Sequence, residues 1–164
     1  MKELHISHCM WAKVDDEDYE RLRRFSWHIR KQRGGIIYAR RVTSDNRNIA
    51  LHREILNAPE DMMVDHINHD GLDNRKCNLR VCSNTQNIRN SRIRKNNKSG
   101  FKGVHASPTE GKWIATIKGA GQARYLGTFD RKRDAARAYD LAAVEHYGEF
   151  ACTNFKKYSP VKIR

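Results

Sequence analysis

Between residues 63 and 87 the chain carries polar side chains whose types suit acid–base and metal-ion chemistry. Asp65 and His66 close a short apolar run, Asn78 lies in a second apolar run, and Asn87 lies in the polar segment that follows. Hydrolysis of a phosphodiester requires a base with a pKa near neutrality to activate water, and histidine meets that requirement. It also requires a cation to stabilise charge on the phosphate and on the leaving oxygen. One carboxylate and one amide oxygen form a sparse, hard ligand set that suits Mg²⁺ or Mn²⁺.

The elements that must position these side chains are a strand, a loop, a second strand and a helix. Ser83 with Gln86 three residues later is a capping-box signature, so the helix is predicted to begin near Ser83. Neighbouring side chains in a regular strand face opposite sides, so Asp65 and His66 can act on one phosphate only if the strand ends or bends there. The turn-forming run His69-Asp70-Gly71 predicts such an exit.

This stretch resembles the HNH nuclease motif, the ββα-metal finger of the HNH endonucleases. The matching letters are V-D-H-I-N-x-D-x-x-D-N-R, then N-L-R, then Q-N. The resemblance implies that His66 is the general base, that Asp65 and Asn87 hold the metal ion, and that Asn78 braces the loop. The third motif position is Asn87 instead of histidine, which the family accepts, particularly among phage intron-encoded homing and nicking enzymes.

A structural zinc site is the alternative for the same stretch, with His66, His69, Cys77 and Cys82 as ligands. Cys77 and Cys82 are five residues apart, so on one strand they would face opposite sides, and neither belongs to a C-x-x-C pair. A long motif with mechanistic content outweighs scattered His and Cys residues, so the nuclease interpretation is favoured. Two acidic residues of the loop are interpreted as turn formers: Asp70 and Asp73.

The charge of the chain favours a polyanionic partner, above all a nucleic acid. Lys and Arg number 32 against 19 Asp and Glu, which gives a net charge of +13. Residues 75–98 hold eight basic residues and no acidic one, and residues 156–164 add four basic residues. We therefore expect a phosphate backbone to run along the first of these segments and near the second.

Three features of the sequence bear on the location of the protein. No apolar run approaches the length that crosses a bilayer. The first residues lack a continuous apolar segment of the kind found in secretory signals. The four cysteines are scattered and suit a reducing compartment. We therefore expect a cytoplasmic protein, neither secreted nor bound to a membrane. The resemblance to phage HNH enzymes implies that the cell is a bacterium or a phage-infected host.

Residues 1–60 are predicted to form a small α+β scaffold. A helix is expected to begin at Asp15, strands are expected over residues 27–30 and 36–42 about Gly34-Gly35, and residues 49–56 favour a short strand or helix. The Leu51-His52-Arg53 triplet resembles one found upstream of the motif in related HNH enzymes. His52 is interpreted as structural or phosphate-facing, not as catalytic.

The second half of the chain favours a three-stranded antiparallel sheet packed on one helix. Strand character marks residues 102–105, 112–118 and 124–128, with turn formers between them. Helical spacing then extends over residues 132–147, with Gly148 as the stop. Small alanines on the buried face of that helix would let it lie close to the sheet.

This segment resembles the Apetala-2/ethylene-response-factor DNA-binding domain through F-K-G-V, G-K-W-x-A-x-I, Y-L-G-T-F, A-A-R-A-Y-D and T-N-F. The resemblance implies that the sheet enters the major groove of DNA. The matching groove-facing positions are Lys102, His105, Thr116, Lys118 and Tyr125, and Tyr139 is expected to touch phosphate. Lys102, His105 and Lys118 replace family arginines, so bidentate contacts to guanine are lost and the plant target sequence should not transfer. Trp113 is expected in the core.

The two resemblances together imply an α+β DNA endonuclease of the homing type that depends on Mg²⁺ or Mn²⁺. Because the chain carries a single HNH motif, we expect it to nick one strand as a monomer. The predicted segments are an α+β scaffold (1–60), an HNH ββα-metal motif (61–92), a basic linker (93–98), an Apetala-2-like domain (99–155) and a basic tail (156–164). The basic residues expected on double-stranded DNA near the linker are Arg89, Arg92, Arg94, Lys95 and Lys98. One alternative is a DNA-binding regulator with a non-catalytic HNH fold. An RNA-binding or RNA-cleaving protein is another, although unpaired-base stacking platforms are not evident.

Overall fold

The computed structural model of the chain describes residues 1–7, 9–32, 35–119 and 121–158, which lie in two compact units, Met1–Asn87 and Ile88–Arg164. Within these ranges the chain forms four α-helices and four small antiparallel sheets, so the prediction of a mixed α/β chain is confirmed. None of the helices in the described residues is both long and apolar enough to span a bilayer. The domain boundaries proposed from the sequence stay a prediction.

The first unit begins with a pair of strands that was not predicted from the sequence. Strand β1 (Lys2–Ser7) pairs antiparallel with β2 (Met10–Val14). Alternate side chains of both strands are buried, which is the pattern of a sheet with one face on a core. Helix α1 (Asp16–Leu22) follows directly, with an acidic first turn, and buries Leu22.

A second sheet and a short helix complete the scaffold of the first unit. Strands β3 (His28–Lys31), β4 (Ile37–Val42) and β5 (Asn48–Ala50) form an antiparallel sheet in that order. The predicted turn between β3 and β4 includes Gly34, which lies outside the described residues. Helix α2 (Leu51–Leu56) starts where β5 ends, so residues 49–56 hold both a strand and a helix.

The motif stretch forms a strand pair followed by a helix. Strand β6 (Met63–His66) pairs antiparallel with β7 (Leu79–Cys82), and helix α3 (Asn84–Asn90) follows. The predicted capping box is present, because Ser83 N donates to Gln86 Oε1 at 2.7 Å and Gln86 N donates to Ser83 Oγ at 3.2 Å. Residues Lys76–Asn78 form a 3₁₀ turn before β7, so Cys77 and Cys82 do not lie on one strand.

One apolar core joins the motif strands to the N-terminal scaffold. Val64 of β6 and Leu79 of β7 pack in the same buried cluster as residues of both scaffold sheets and both scaffold helices. The other members are Leu4, Ile6, Ala12, Val14, Leu22, Trp27, Ala39, Leu51 and Ile55. The motif is therefore held by the scaffold and does not fold around a core of its own.

The second unit has the predicted sheet and helix. Strands β8 (Val104–Ala106), β9 (Trp113–Gly119) and β10 (Gln122–Phe129) pair antiparallel, with β9 in the centre. Helix α4 (Lys132–Tyr147) has the predicted bounds and ends at Gly148. Its alanines pack closely on the sheet, and Trp113 lies partly buried against the same core, as expected.

The end of the second unit is tied back to its beginning through Asp140 and Asn154. The buried Asp140 carboxylate accepts hydrogen bonds from Asn154 N at 2.7 Å and Phe155 N at 2.9 Å. Asn154 Oδ1 in turn accepts from Lys102 N at 2.7 Å. Burial raises the pKa of Asp140, against the opposing effect of these hydrogen bonds. The T-N-F segment thus connects the end of the second unit to its helix and to its first residues.

Candidate functional site

A cavity of about 240 Å³ in the first unit brings together three of the four motif side chains. Asp65 and His66 reach it from β6, and Asn87 reaches it from α3. Scaffold residues form another part of the lining, among them Tyr38, Arg40 and His52. The predicted base and the two predicted metal ligands therefore line one space, although they are up to 22 residues apart in the sequence.

Asp65 and His66 line the same cavity although they are neighbours in a strand. Strand β6 ends at His66, as the turn-forming residues after it predicted, and His69 N donates to His66 O at 2.9 Å in the turn that follows. Both residues are 5% exposed. Because the strand ends at His66, the alternation of side chains along a regular strand does not prevent Asp65 and His66 from sharing one site.

Asn74 determines which ring nitrogen of His66 carries the proton. Asn74 Nδ2 donates to Gly71 O at 3.3 Å, so the other amide atom, Oδ1, is the one that lies 3.2 Å from His66 Nε2. An amide oxygen only accepts, so Nε2 is the donor and, in the neutral ring, Nδ1 carries the lone pair. Burial lowers the pKa of His66, and the Asn74 bond and nearby Asp65 partly oppose this.

The scaffold holds Asn74 in place through the backbone of β2. Lys13 N donates to Leu72 O and Asn74 N donates to Lys13 O, each at 2.8 Å. The carboxylate of Asp15, at the start of α1, accepts from Lys76 N at 2.7 Å. The N-terminal hairpin therefore positions the loop that orients His66. No role for Asn74 was predicted from the sequence, although the D-N-R letters of the motif include it.

Asn78 organises the loop between the two motif strands. Its Oδ1 accepts from Asn68 N at 3.1 Å, and its Nδ2 donates to Asn68 Oδ1 at 3.0 Å and to Asp73 O at 2.8 Å. Asp73 binds Arg75 at 2.7 Å and Asn68 at 2.8 Å, which agrees with a turn role. These bonds give Asn78 a bracing position, and its contribution to catalysis stays a prediction.

The Asp65 carboxylate binds Arg80 on the neighbouring strand. Arg80 Nη2 and Nε donate to Asp65 Oδ2 at 2.7 and 2.9 Å. Asp65 and Asn87 together offer one carboxylate and one amide oxygen at the cavity, a donor set that fits Mg²⁺ or Mn²⁺ with positions left for water and phosphate. No group of three His, Cys, Asp or Glu side chains in the described ranges is arranged to hold a metal.

His52 belongs to the cavity and lies beside the predicted base. The rings of His52 and His66 are edge to face with centroids 5.0 Å apart, and the ring of Tyr38 lies 5.3 Å from His52 and 5.5 Å from His66. Burial, with the charges of His66, Arg53 and Arg40, lowers the pKa of His52 to about 3. His52 is therefore neutral near neutral pH. The interpretation of His52 as structural or phosphate-facing stays open.

In the second unit, four of the predicted groove residues share the sheet face that points away from α4: His105, Thr116, Lys118 and Tyr125. Ala115 and Ile117 of β9 are buried with α4 residues, so the alternate side chains of this strand face the other way. Tyr125 lies opposite Thr116, and β8 places His105 opposite Ile114. Their DNA contacts stay a prediction.

Two other predicted DNA contacts do not fit the positions that their side chains occupy. Lys102 is half-buried, and its Nζ donates to Arg89 O at 2.7 Å and to Ser91 O at 2.6 Å. Burial lowers the pKa of Lys102. Tyr139 is 4% exposed and its ring packs against Gly103, so it has no access to phosphate. Both side chains instead make contacts within the second unit.

Most of the basic residues that are expected to contact DNA near the linker are exposed. Arg89 is half-buried, with its guanidinium 4.9 Å from the centre of the Tyr147 ring. The exposed members are Arg92, Arg94, Lys95 and Lys98. Asn97 gives this segment local order, because its Oδ1 accepts from Gly100 N at 2.7 Å.

Comparison with known proteins finds relatives of two kinds, although no protein-family model matches the chain. The chain is 29% identical over 150 residues to an uncharacterized HNH endonuclease of Acanthamoeba polyphaga mimivirus, across 88% of this chain and 74% of the viral protein. It is 46% identical over 68 residues to one ethylene-responsive transcription factor of Arabidopsis thaliana and 34% identical over 101 residues to another. These two matches cover 40% and 58% of this chain, and 26% and 61% of the plant proteins. The resemblance to both kinds of protein is thereby confirmed.

Proposed function

We propose that this chain is a metal-dependent DNA endonuclease of the homing type, which cuts one strand of a duplex at a site bound by its second unit. The observation that carries the proposal is the cavity that collects His66, Asp65 and Asn87. Similarity to an HNH endonuclease over most of the chain supports nuclease activity, and similarity to transcription factors supports DNA as the partner.

In the proposed reaction His66 accepts a proton from water. Because Nε2 donates to Asn74, the water proton moves to Nδ1. The water oxygen then bonds to phosphorus while the bond from phosphorus to the leaving sugar oxygen breaks. Burial lowers the pKa of His66, so the ring is neutral near neutral pH and ready to accept the proton.

Asp65 and Asn87 are the residues that would hold Mg²⁺ or Mn²⁺. Arg80 orients the Asp65 carboxylate, and the capping box fixes the start of α3, where Asn87 N donates to Ser83 O at 3.0 Å. When bound, such a cation stabilises negative charge on the phosphate and the leaving oxygen. Asn78 contributes by keeping the loop that carries Asn74 in one conformation.

The second unit is proposed to place this chemistry on DNA. The sheet face with His105, Thr116, Lys118 and Tyr125 would contact base edges, because a short strand pair fits the major groove. The exposed basic residues from Arg92 to Lys98 would neutralise phosphates. Phosphate contacts supply affinity and register, while the sheet supplies the choice of site.

We further propose that one molecule nicks one strand. The chain carries a single motif with one base, His66, so cutting both strands would require a second copy facing the antiparallel strand. The sequence contains no heptad pattern that would pair two copies. The expected product is therefore an open circle from a supercoiled plasmid.

A DNA-binding regulator with a non-catalytic HNH fold is the second candidate. The observation in its favour is the buried pair of Asp65 with Arg80, because the guanidinium already balances the carboxylate charge. A regulator would bind DNA in the same way and would leave the phosphodiester bond intact.

Incubation with supercoiled plasmid distinguishes these candidates. With Mg²⁺ or Mn²⁺, open circles should build up before linear DNA, and EDTA should stop the reaction. Binding without cleavage under every metal condition would favour the regulator. Linear DNA from the first time point, at a rate that rises with the square of protein concentration, would contradict nicking by a monomer.

A further inference from the structure

Two buried nitrogens, on residues that line the cavity, lack a hydrogen-bond partner among the described residues. They are Nε of Arg40 and Nδ1 of His52. A buried polar group left without a partner costs free energy, and the cost is larger when the group is charged. Folded proteins keep few such groups, so each one needs a physical explanation.

The other arginines around this site show that the fold does satisfy guanidinium groups where it can. Arg41 binds Glu54 at 2.9 Å, and Arg80 binds Asp65 at 2.7 Å. Arg53 of α2 donates to the carbonyls of Met62 and Pro59 at 2.7 and 2.6 Å. Arg40 differs from these three because the described residues offer its Nε no acceptor.

Strand pairing brings Arg40 and His52 together on the scaffold side of the cavity. Arg40 of β4 lies opposite Ala50 of β5, and His52 follows in the first turn of α2. The His52 ring contacts the His66 ring, so this part of the lining borders the predicted base directly. Burial is the main cause of the lowered pKa of His52 and of the raised pKa of Tyr38. The positive charge of Arg40 adds a little to the first shift and opposes the second, so its field reaches into the cavity.

The charge of the cavity lining favours an anion beside His66. Arg80 balances Asp65, and His52 is neutral near neutral pH, so Arg40 adds a permanent positive charge at this site. A guanidinium N–H aimed at a phosphate oxygen makes a short, charge-assisted hydrogen bond. A phosphate oxygen is therefore the ligand type that matches the unsatisfied Arg40 Nε.

We propose that Arg40 and His52 form an anion subsite that binds the nonbridging oxygens of the phosphodiester under attack. This assignment rests on the proposed endonuclease function and adds to it the residues that hold the substrate phosphate. Arg40 would donate from Nε and His52 from Nδ1. The scaffold would then supply substrate contacts as well as support.

Inorganic phosphate tests the subsite without cleavage. In the ¹⁵N-labelled full chain, the Nε–H resonance of Arg40 is identified by its absence from Arg40→Lys and, independently, from Arg40→Gln. Phosphate added at constant ionic strength against chloride should shift this resonance saturably. The matched control is Arg47, whose side chain is 71% exposed and pairs with Asp45, and its resonance should not saturate in the same range. An Arg40 resonance that does not respond to phosphate would overturn the subsite.

Plasmid nicking separates the subsite from the endonuclease proposal. Arg40→Gln should nick about 10- to 100-fold more slowly than the wild type with little change in DNA binding, while Arg47→Gln should match the wild type. Nicking by Arg40→Gln at the wild-type rate would refute the subsite and leave the endonuclease proposal intact. A saturable Arg40 shift in a wild-type protein that never nicks would refute the endonuclease proposal and leave an anion site.

Discussion

Asp65 and Arg80 face each other across β6 and β7, with Arg80 Nη2 2.7 Å from Asp65 Oδ2. Their side chains are 6% and 10% exposed, so the pair is shielded from solvent. A cation bound by Asp65 would share this carboxylate with Arg80. The pair therefore couples the stability of the motif to the occupancy of the proposed metal site.

Removal of Arg80 should destabilise the first unit and make it dependent on a cation. Arg80→Met leaves a buried carboxylate without its partner, so the free energy of unfolding should fall by about 3–5 kcal/mol. Mg²⁺ should restore more stability to this variant than to the wild type, because the cation replaces the lost positive charge. Urea unfolding with and without Mg²⁺ measures both effects. Arg47→Met, at an exposed pair, should change stability by less than about 1 kcal/mol; an equal loss in both variants would contradict the argument.

The proposed metal ligands should control how much cation the reaction needs. Asp65→Ala and Asn87→Ala should each raise the Mg²⁺ or Mn²⁺ concentration at half-maximal nicking, because each removes one ligand oxygen. Asp70→Asn is the matched control. Asp70 is an exposed carboxylate in the loop between β6 and β7, where it accepts a hydrogen bond from Leu72 N. Its metal titration should resemble that of the wild type. Unchanged titrations for both ligand variants would point to other ligands.

Lys118 and Lys102 should differ in their effect on DNA binding. Lys118 is exposed on the sheet face, so Lys118→Gln should weaken binding and reduce the slope of log affinity against log salt by about one. Lys102 donates to two backbone carbonyls, so Lys102→Met should lower the unfolding midpoint and leave the salt slope unchanged. Fluorescence anisotropy over a salt series gives the slopes. If Lys102→Met reduces the salt slope and Lys118→Gln does not, Lys102 is the residue that contacts DNA, as predicted from the sequence.

Gly103 should be far more sensitive to substitution than Gly100. Both glycines have positive φ, 75° and 78°, so an alanine at either position carries a similar backbone strain of about 1–2 kcal/mol. A Cβ at Gly103 would lie 1.9 Å from Tyr139 Cδ2, whereas a Cβ at Gly100 meets no atom within 4 Å. Gly103→Ala should therefore lose about 3 kcal/mol or more beyond Gly100→Ala. Equal losses in urea unfolding would show that the Tyr139 ring moves aside easily.

Local signals in the sequence predicted the elements that depend on neighbours in the chain. Helix α4 has its predicted bounds because helical spacing and Gly148 act within one segment. Ser83 and Gln86 likewise form the predicted capping box, since both partners lie within one turn. The hairpin of β1 and β2 was missed although its burial alternates, because these short strands gain stability from a core shared with Val64 and Leu79.

The candidate site was predictable by residue type and not by contact. The motif letters identify Asp65, His66 and Asn87, which do line one cavity. The role of Asn74 depends on Lys13, more than fifty residues earlier in the chain, and no local pattern encodes that backbone pairing. The resemblance to the DNA-binding domain likewise identified the position of Lys102 but not the direction of its side chain. In the folded protein this side chain points toward backbone carbonyls.

The central claim is that His66 activates the water that cleaves DNA. The most direct test compares single-turnover nicking of supercoiled plasmid by the wild type and His66→Ala, at saturating Mg²⁺ and with DNA binding measured alongside. His66→Ala should nick at least roughly 100-fold more slowly, because it lacks the general base, while its affinity for DNA stays close to that of the wild type. Nicking by His66→Ala at the wild-type rate would contradict the account.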